Sequence, residues 1–393
     1  MSKLPSDLQN QFRSHFELSR EVVYLNAAYM GPLPLRAAKA GIAAIEKRSH
    51  QCWQTASTDF FDPSEDLRAE VAKLWSARAD NIALVPSVSY GVETAAKNIQ
   101  FSEGDEILIP AEDFPSNVYP WMEVAKKTGA KLITVPRPEN YNWAQAMIEA
   151  MSERTKLVSA PVCDWSDGTY FDLAQIVKAC RARRAALIVD VSQSFGAVPF
   201  DVTKIDPDFV VSVGYKWQLG PYGLAYLYVA NRWLNGTPLE NNWITRAGSE
   251  DFSRLVEYKD AYQQGARRFD GGERTQFHLT PMALGALQLL SEVSVPQIHS
   301  HVQTLTETLH SGLRDLRFEI APREASCGHM IGARHERLAN MATLAARLKT
   351  KNVFVSARGS ALRISPHLYN DAEDVARFLT VLEGELRGWV GER

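Results

Sequence analysis

The stretch "DLAQIVKACRARRAALIVDVSQSFGAVPFDV", residues 172–202, sets two periodicities side by side. Its first half has helical spacing, with Leu173, Ile176, Val177 and Cys180 on one face. Its second half runs apolar without alternation through Val189 and meets a carboxylate, Asp190. A strand that is apolar on both sides must be covered on both sides, as in a parallel sheet between helical layers.

The same unit repeats on either side of it. "DPSEDLRAEVAKLWSA" has helical spacing behind an Asp-Pro start and leads to the short run "NIALV". A Ser-rich turn then opens the helix "YGVETAAKNI". Strands "DEILIP", "KLITVP" and "KLVSAPV" alternate with helices around 118–127 and 143–151. "DFVVSVG" and "LAYLYV" follow with no helix between them and are expected to pair as a hairpin near the sheet edge. After about Gly272 the texture changes to one long helix, from Pro281 to about Leu316, then short strands ("HMIGAR", "VFVSA", "ALRISP") and two helices. The expected architecture is α/β: a large doubly wound, mostly parallel sheet domain plus a smaller α+β C-terminal domain. The boundaries are residues 1–20 for an N-terminal segment, 21–275 for the large domain, and 276–393 for the small domain with its connecting helix.

The bulk numbers narrow the function classes. At 393 residues the chain exceeds one small core. Net charge is −3 with scattered Lys and Arg, which argues against a nucleic-acid or anionic-membrane surface. No apolar run is long enough to span a bilayer and no signal-peptide pattern opens the sequence, so a cytoplasmic location is expected. Four cysteines form no C-x-x-C pair, and nine histidines form no H-E-x-x-H, so no metal site is expected.

Three features carry chemistry. "VPSVSYGVET" places Ser87 and Ser89 where a strand turns into a helix, and helix N-terminal amides suit a phosphate dianion. Alone, a serine there is more often just a cap. Asp190 ends its strand on the side where doubly wound sheets bind ligands, with Gln193 three residues on. Lys216 lies 26 residues after Asp190, between Tyr215 and Trp217. An apolar setting lowers a lysine pKa and makes the amine nucleophilic. The bland alternative is a surface lysine packed on Trp217. Taken together, a phosphate cradle, an acid for a pyridine nitrogen and a Schiff-base lysine are what pyridoxal 5′-phosphate requires.

With these pieces the chain resembles the class V aminotransferase family of fold-type I PLP enzymes, which includes cysteine desulfurases, selenocysteine lyases, kynureninases and isopenicillin N epimerase-like proteins. The likeness runs from "VVYLNAAYMGPLP" to "ALRISPHLYN", and "VDVSQSFGAVPFDV" and "GYKWQLGPYG" are its most specific parts. The resemblance implies that Lys216 binds the cofactor covalently and shuttles the Cα proton. It implies that Asp190 partners the pyridinium nitrogen and Gln193 the ring hydroxyl, while Val88 and Ser89 hold the phosphate. Phe114 falls at the stacking position, where a histidine is common, and Tyr215 replaces a frequent histidine with a phenol that could reach the phosphate. Asn26 and Arg363 match positions near the substrate carboxylate. "CDWSDG" aligns ambiguously, leaving Asp164 and Trp165 both candidates beside the ring. A homodimer with active sites at the subunit interface is implied as well. There, Gly272-Glu273-Arg274 stands where relatives read Gly-Thr, so Glu273 opposes a contact to the neighbour's phosphate that Arg274 could supply instead.

Desulfurases carry a persulfide cysteine shortly before the last arginine, but "VFVSARGSALR" is short and has none; Cys327 lies earlier. The expected activity is therefore an aminotransferase or a Cβ-eliminating lyase acting on an amino acid. Alternatives are an epimerase, which needs a second base, and a non-catalytic PLP-fold binding protein. A nicotinamide enzyme would need a G-x-G-x-x-G turn, which is absent.

Overall fold

A computed structural model describes residues 11–338 and 340–389. Residues 1–10 of the expected N-terminal segment, and 339 and 390–393 of the small domain, lie outside the described residues. In chain order the first elements are β1 (Val23–Tyr24), α1 (Leu35–Gln51), α2 (Asp62–Leu74), β2 (Ile82–Val85), α3 (Val88–Asn98) and β3 (Glu106–Pro110). Next come α4 (Tyr119–Thr128), β4 (Lys131–Val135), α5 (Trp143–Glu149), β5 (Thr155–Pro161), α6 (Leu173–Arg183) and β6 (Ala186–Asp190). The short α7 (Val202–Ile205), β7 (Phe209–Val213) and β8 (Ala225–Val229) complete the main sheet. After it run α8 (Leu279–Val293), α9 (Val295–Asp315), β9 (Glu319–Ile320), β10 (Ile331–Arg334) and α10 (Met341–Thr350). The last elements are β11 (Val353–Phe354), β12 (Ser356–Arg358), β13 (Ala361–Ile364) and α11 (Ala372–Trp389).

Strands β2–β8 form one sheet in the order β2-β8-β7-β6-β5-β3-β4. Only β8 is antiparallel to its neighbours, so the hairpin partner expected for β7 is found, with β2 rather than β8 at the edge. Alternation along the strands feeds two cores. Leu84, Leu108, Val158, Val189 and Val210 face one apolar cluster, which α2, α5, α6 and α8 cover. Val85, Ile107, Leu157, Ile188 and Val211 face the other, which α3 and α4 cover. Continuous apolar strands are thus explained by two helical layers. The six parallel strands point the same way, so their C-terminal ends and the α3 N-terminus gather at one rim.

A third cluster gathers Leu305, Leu309, Leu313, Ile364 and Phe378 around the antiparallel sheet β12-β13-β10-β9. The packing departs from the expected boundaries at both ends. Val23 and Leu25 belong to this third cluster, because β1 pairs in parallel with β11. Conversely, α8 buries its apolar face on the main sheet's cluster against α1 and α2. The single long helix expected over 281–316 is two. Ser294 takes a φ of 72°, its hydroxyl accepts from the Gln297 amide, and Pro296 sits in the first turn of α9. Proline lacks the N–H that would continue α8, and the apolar spacing that runs through both helices concealed the break. Among the described residues no helix is long and apolar enough to cross a membrane.

Candidate active site

Lys216 follows the C-terminal end of β7 in a loop pinned from several sides. Trp217, fully buried, donates through Nε1 to Gln193 Oε1 at 2.9 Å. Its carbonyl accepts from His367 Nε2 at 2.9 Å. Burial pushes the His367 pKa down to about 4, so the ring is neutral: Nε2–H donates while Nδ1 accepts from the Leu368 amide at 2.7 Å. The N-terminal loop closes from the other side, with Gly31 N–H donating to the Tyr215 carbonyl at 2.9 Å. A Cβ at Gly31 would stand 2.2 Å from the Lys216 carbonyl oxygen, so only glycine permits this approach.

The Lys216 side chain is 7% exposed and has no ion pair among the described residues. Its Nζ sits 5.2 Å from the Phe114 ring centroid and 5.8 Å from that of Tyr215. Burial pulls its pKa down to about 8, against the attraction of Asp190 and with the repulsion of Arg363 and Arg358. The amine is thereby made available as a base and nucleophile near neutral pH.

Asp190 ends β6 with both oxygens directed: Oδ1 accepts from the Ser192 amide at 2.7 Å and Oδ2 from Asn117 Nδ2 at 2.8 Å. Gln193 is held at both ends, its Nε2 donating to the Ala28 carbonyl at 3.2 Å. Beside them lies Asp113, which the sequence did not single out. Its Oδ1 accepts from the Phe114 amide at 2.7 Å, while Oδ2 is buried with no partner. Burial, then the charge of Asp190, pushes this carboxyl up to about 7.

At the far end, Ser87 caps α3, accepting from the Tyr90 amide at 3.2 Å, and its Oγ lies 2.9 Å from Ser89 Oγ. The amides of Val88 and Ser89 belong to the first turn, which has no intrahelical acceptors, and with the serine hydroxyls they form an anion cradle. The Tyr215 ring lies tilted against that of Tyr222, with centroids 4.6 Å apart.

One cavity of about 280 Å³ brings Val88, Ser89, Phe114, Asp190, Gln193, Tyr215 and Lys216 together, with Ser87, Asp113, Cys163 and Trp165 in its wall. Three expected residues are not on that wall. Asp164 turns away: its Oδ2 pairs with Arg137 at 2.6 Å and its Oδ1 caps the Ser166 amide at 2.8 Å. Asp164, expected beside the cofactor, is thus held off the cavity wall, and Trp165 of the same turn lies on it. Asn26 is buried, accepting from Ser356 Oγ at 2.8 Å. Arg363 is 1% exposed and donates from Nη1 to the Trp165 carbonyl at 2.8 Å, leaving Nε and Nη2 without partners. Of the two residues considered for a neighbour's phosphate, Arg274 is buried on Asp270 at 2.7 Å in its own chain and Glu273 is exposed.

The residues present fit a ligand with a phosphate, a flat ring and a carbonyl for an amine. Such a ligand would find the α3 amides for its phosphate, the Phe114 ring for its flat face, the Lys216 amine for its carbonyl and the Asp190 carboxylate for a ring nitrogen. The orphaned donors of Arg363 fit a carboxylate.

The family described as Aminotransferase class-V matches residues 37–378. "Uncharacterized aminotransferase YcbU" from Bacillus subtilis is 28% identical over 316 residues, covering 80% of this chain and 81% of that protein. A "Probable cysteine desulfurase" from Pyrococcus abyssi is 24% identical, covering 97% of each. A solved mutant of C-DES, with glycine covalently linked to its PLP cofactor, superposes with a TM-score of 0.85 at 20% identity, covering 94% of this chain and 98% of that one. This last likeness shows a shared fold.

Proposed function

This chain belongs to the aminotransferase class-V family, and on that premise we propose that it is a pyridoxal 5′-phosphate enzyme acting on an amino acid, as an aminotransferase or a Cβ-eliminating lyase. The observation that carries this reading is Lys216, a buried amine without a counter-ion, in one cavity with Asp190 and the α3 cradle. Bound there, the cofactor supplies a carbonyl that condenses with amines and a ring that accepts electrons from the substrate Cα.

The chain's own residues do the rest. Val88, Ser87 and Ser89 hold the phosphate, and Phe114 covers a ring face. Asp190, fixed by Ser192 and Asn117, presents a carboxylate to the ring nitrogen and keeps its proton there. Arg363 receives the substrate carboxylate on its two unpartnered N–H directions. Lys216 takes the proton from the substrate Cα and returns it.

Two observations bear on the fate of the substrate. An epimerase needs a second base. Burial pushes the Tyr215 phenol up, and the hydrogen bond with Cys327 and burial push the Cys163 thiol well up, so neither is a ready base near neutral pH. Asp113 is the wall's other carboxyl beside Asp190, pushed up to about 7 by burial and then by the Asp190 charge. Against a protein persulfide stands the β12–β13 hairpin, closed by Gly359 and Ser360 with no cysteine. Cys327 is buried with its Sγ 3.8 Å from the Val162 carbonyl.

Purified protein with pyridoxal 5′-phosphate is expected to absorb in the visible, and Lys216→Ala to abolish that band. A panel of amino acids then separates the reactions. Conversion of the cofactor to its amine form marks transamination, while keto acid with the cofactor unchanged marks elimination. A colourless wild type indifferent to the cofactor overturns the reading.

A further inference from the structure

The β12–β13 hairpin carries two arginines toward the site. Its register pairs Ser356 with Arg363 and Arg358 with Ala361. Residues paired across strands share a face, so Arg358 and Arg363 are same-face diagonal neighbours, with Cα atoms roughly 7–8 Å apart. Arg363 reaches the Trp165 carbonyl, and the Arg358 guanidinium lies 5.7 Å from the Trp165 ring centroid and 5.9 Å from that of Tyr29. Trp165 is part of the cavity wall. Both charges depress the Lys216 pKa, which places both within electrostatic reach of its amine.

Among the described residues neither guanidinium has an acidic partner. Arg358 donates only to its neighbour's carbonyl, Ala357 O, at 2.7 Å. Asp164, next to Trp165 in sequence, is taken by Arg137. Burial and then the Arg358 charge pull the Arg363 pKa below its ordinary value, so the two cations oppose each other as they stand. Where this chain buries arginines for structure it pairs them, as Arg68 and Arg274 share Asp270. Arg363 is buried and Arg358 half-buried, and neither is paired among the described residues, so the site beside the reactive amine is suited to two negative charges from outside.

A single α-carboxylate satisfies the open fork of Arg363 and leaves Arg358 uncompensated. Resting on the function proposed above, we infer that the substrate is a dicarboxylic amino acid, its side-chain carboxylate held by Arg358 between the faces of Tyr29 and Trp165. Arg358 is then the residue that selects acidic over neutral substrates. A bidentate guanidinium–carboxylate contact of this kind is worth roughly ten- to hundredfold in affinity.

The test titrates the cofactor-loaded protein and the cofactor-free protein with succinate, glutarate and butyrate by calorimetry. The dicarboxylates are expected to bind about tenfold or more tighter than butyrate. Arg358→Gln should erase that preference, weakening the dicarboxylates about tenfold or more and butyrate far less, and Arg358→Lys should recover part of it. Equal weakening of mono- and dicarboxylates in Arg358→Gln would mean that both arginines serve one carboxylate, overturning the inference. So would an unchanged dicarboxylate preference. In parallel, aspartate and glutamate should perturb the visible spectrum at lower concentration than asparagine, glutamine and alanine. Neutral amino acids acting equally well overturn the inference alone, whereas a protein that no amino acid perturbs overturns the functional reading.

Discussion

Without its cofactor the protein holds a lysine ammonium where water cannot solvate it. The folded-state pKa of Lys216, about 8, lies below its ordinary 10.5. Below pH 8 both folded and unfolded chains carry the proton, and the buried charge costs stability. Between about 8 and 10.5 the unfolded chain retains a proton that the folded chain has released, so stability rises with pH. Lys216→Met should therefore stabilise the cofactor-free protein at pH 7, by up to about 3 kcal/mol, and flatten the rise above pH 8. Urea denaturation across that pH range measures both effects. In the loaded enzyme, Arg363→Ala should raise KM for the amino acid on the order of 10- to 100-fold, because it removes a charged, doubly directed hydrogen-bond partner. Steady-state kinetics checks this, and an unchanged KM would remove Arg363 from the carboxylate site. Lys216 and Asp190 were legible in the sequence because each follows an apolar strand and so must lie at the sheet's ligand-binding rim. Asp113 and Arg358 were not: in sequence they are ordinary loop and hairpin charges. Only packing reveals that, among the described residues, one has a buried orphan oxygen and the other no counter-ion.

Two short elements, rather than the strands, set the position of the reactive groups. The loop 26–31 lies over the lysine turn, Gly31 donating to Tyr215 and Ala28 receiving Gln193. Gly31→Ala forces a methyl against the Lys216 carbonyl; such overpacking should cost roughly 1–3 kcal/mol. Because the strain falls on the lysine turn, cofactor release should accelerate as well. Thermal melts and the decay of visible absorbance on dilution measure the two losses together. The α3 N-terminus is the second element, where Ser87 is both the cap foreseen as the bland reading and a neighbour of Ser89 Oγ. The two roles are therefore compatible rather than rival. The alternation of apolar strands and helices was readable because each strand is buried on both faces and each helix on one. The break between α8 and α9 was not, since apolar spacing continues through Ser294 and only its left-handed backbone and Pro296 interrupt it. The turn at Asp164 was ambiguous for a related reason: adjacent residues point in opposite directions, and register alone decides which one faces the cavity.

Chain segments distant in sequence meet behind the site, and one carboxylate holds much of that meeting. Asp270 accepts from Arg68 at 2.8 and 3.1 Å, from Arg274 at 2.7 Å, and from the Leu84 amide at 2.7 Å. Gly271 N–H returns a bond to the Leu84 carbonyl at 3.0 Å, so this segment seals the open edge of β2. The resemblance pointed Gly272-Glu273-Arg274 outward, toward a second subunit. Arg274 in fact turns inward, where it shares the buried Asp270 with Arg68. Asp270→Ala would leave Arg274 without an acid among the described residues and Arg68 with Glu65 at 3.2 Å in place of its bidentate partner; the two arginines are 3% and 0% exposed, and the loss should cost about 3–5 kcal/mol. The site should feel it too. β2 runs through Pro86 directly into Ser87 and the cradle of α3, so loosening its edge should weaken cofactor retention although no residue of the cavity wall has changed. Combining Asp270→Ala with Arg68→Met and Arg274→Leu removes the stranded charges. Stability should then return in large part, since a buried network replaced whole by apolar side chains loses its desolvation cost along with its attraction. Denaturation of the single and triple variants, read beside cofactor dissociation, separates the two roles. If the triple variant regains stability yet still releases the cofactor quickly, the bond from Asp270 to the β2 edge is what holds the cradle in place. If both recover, the stranded charges alone caused the damage.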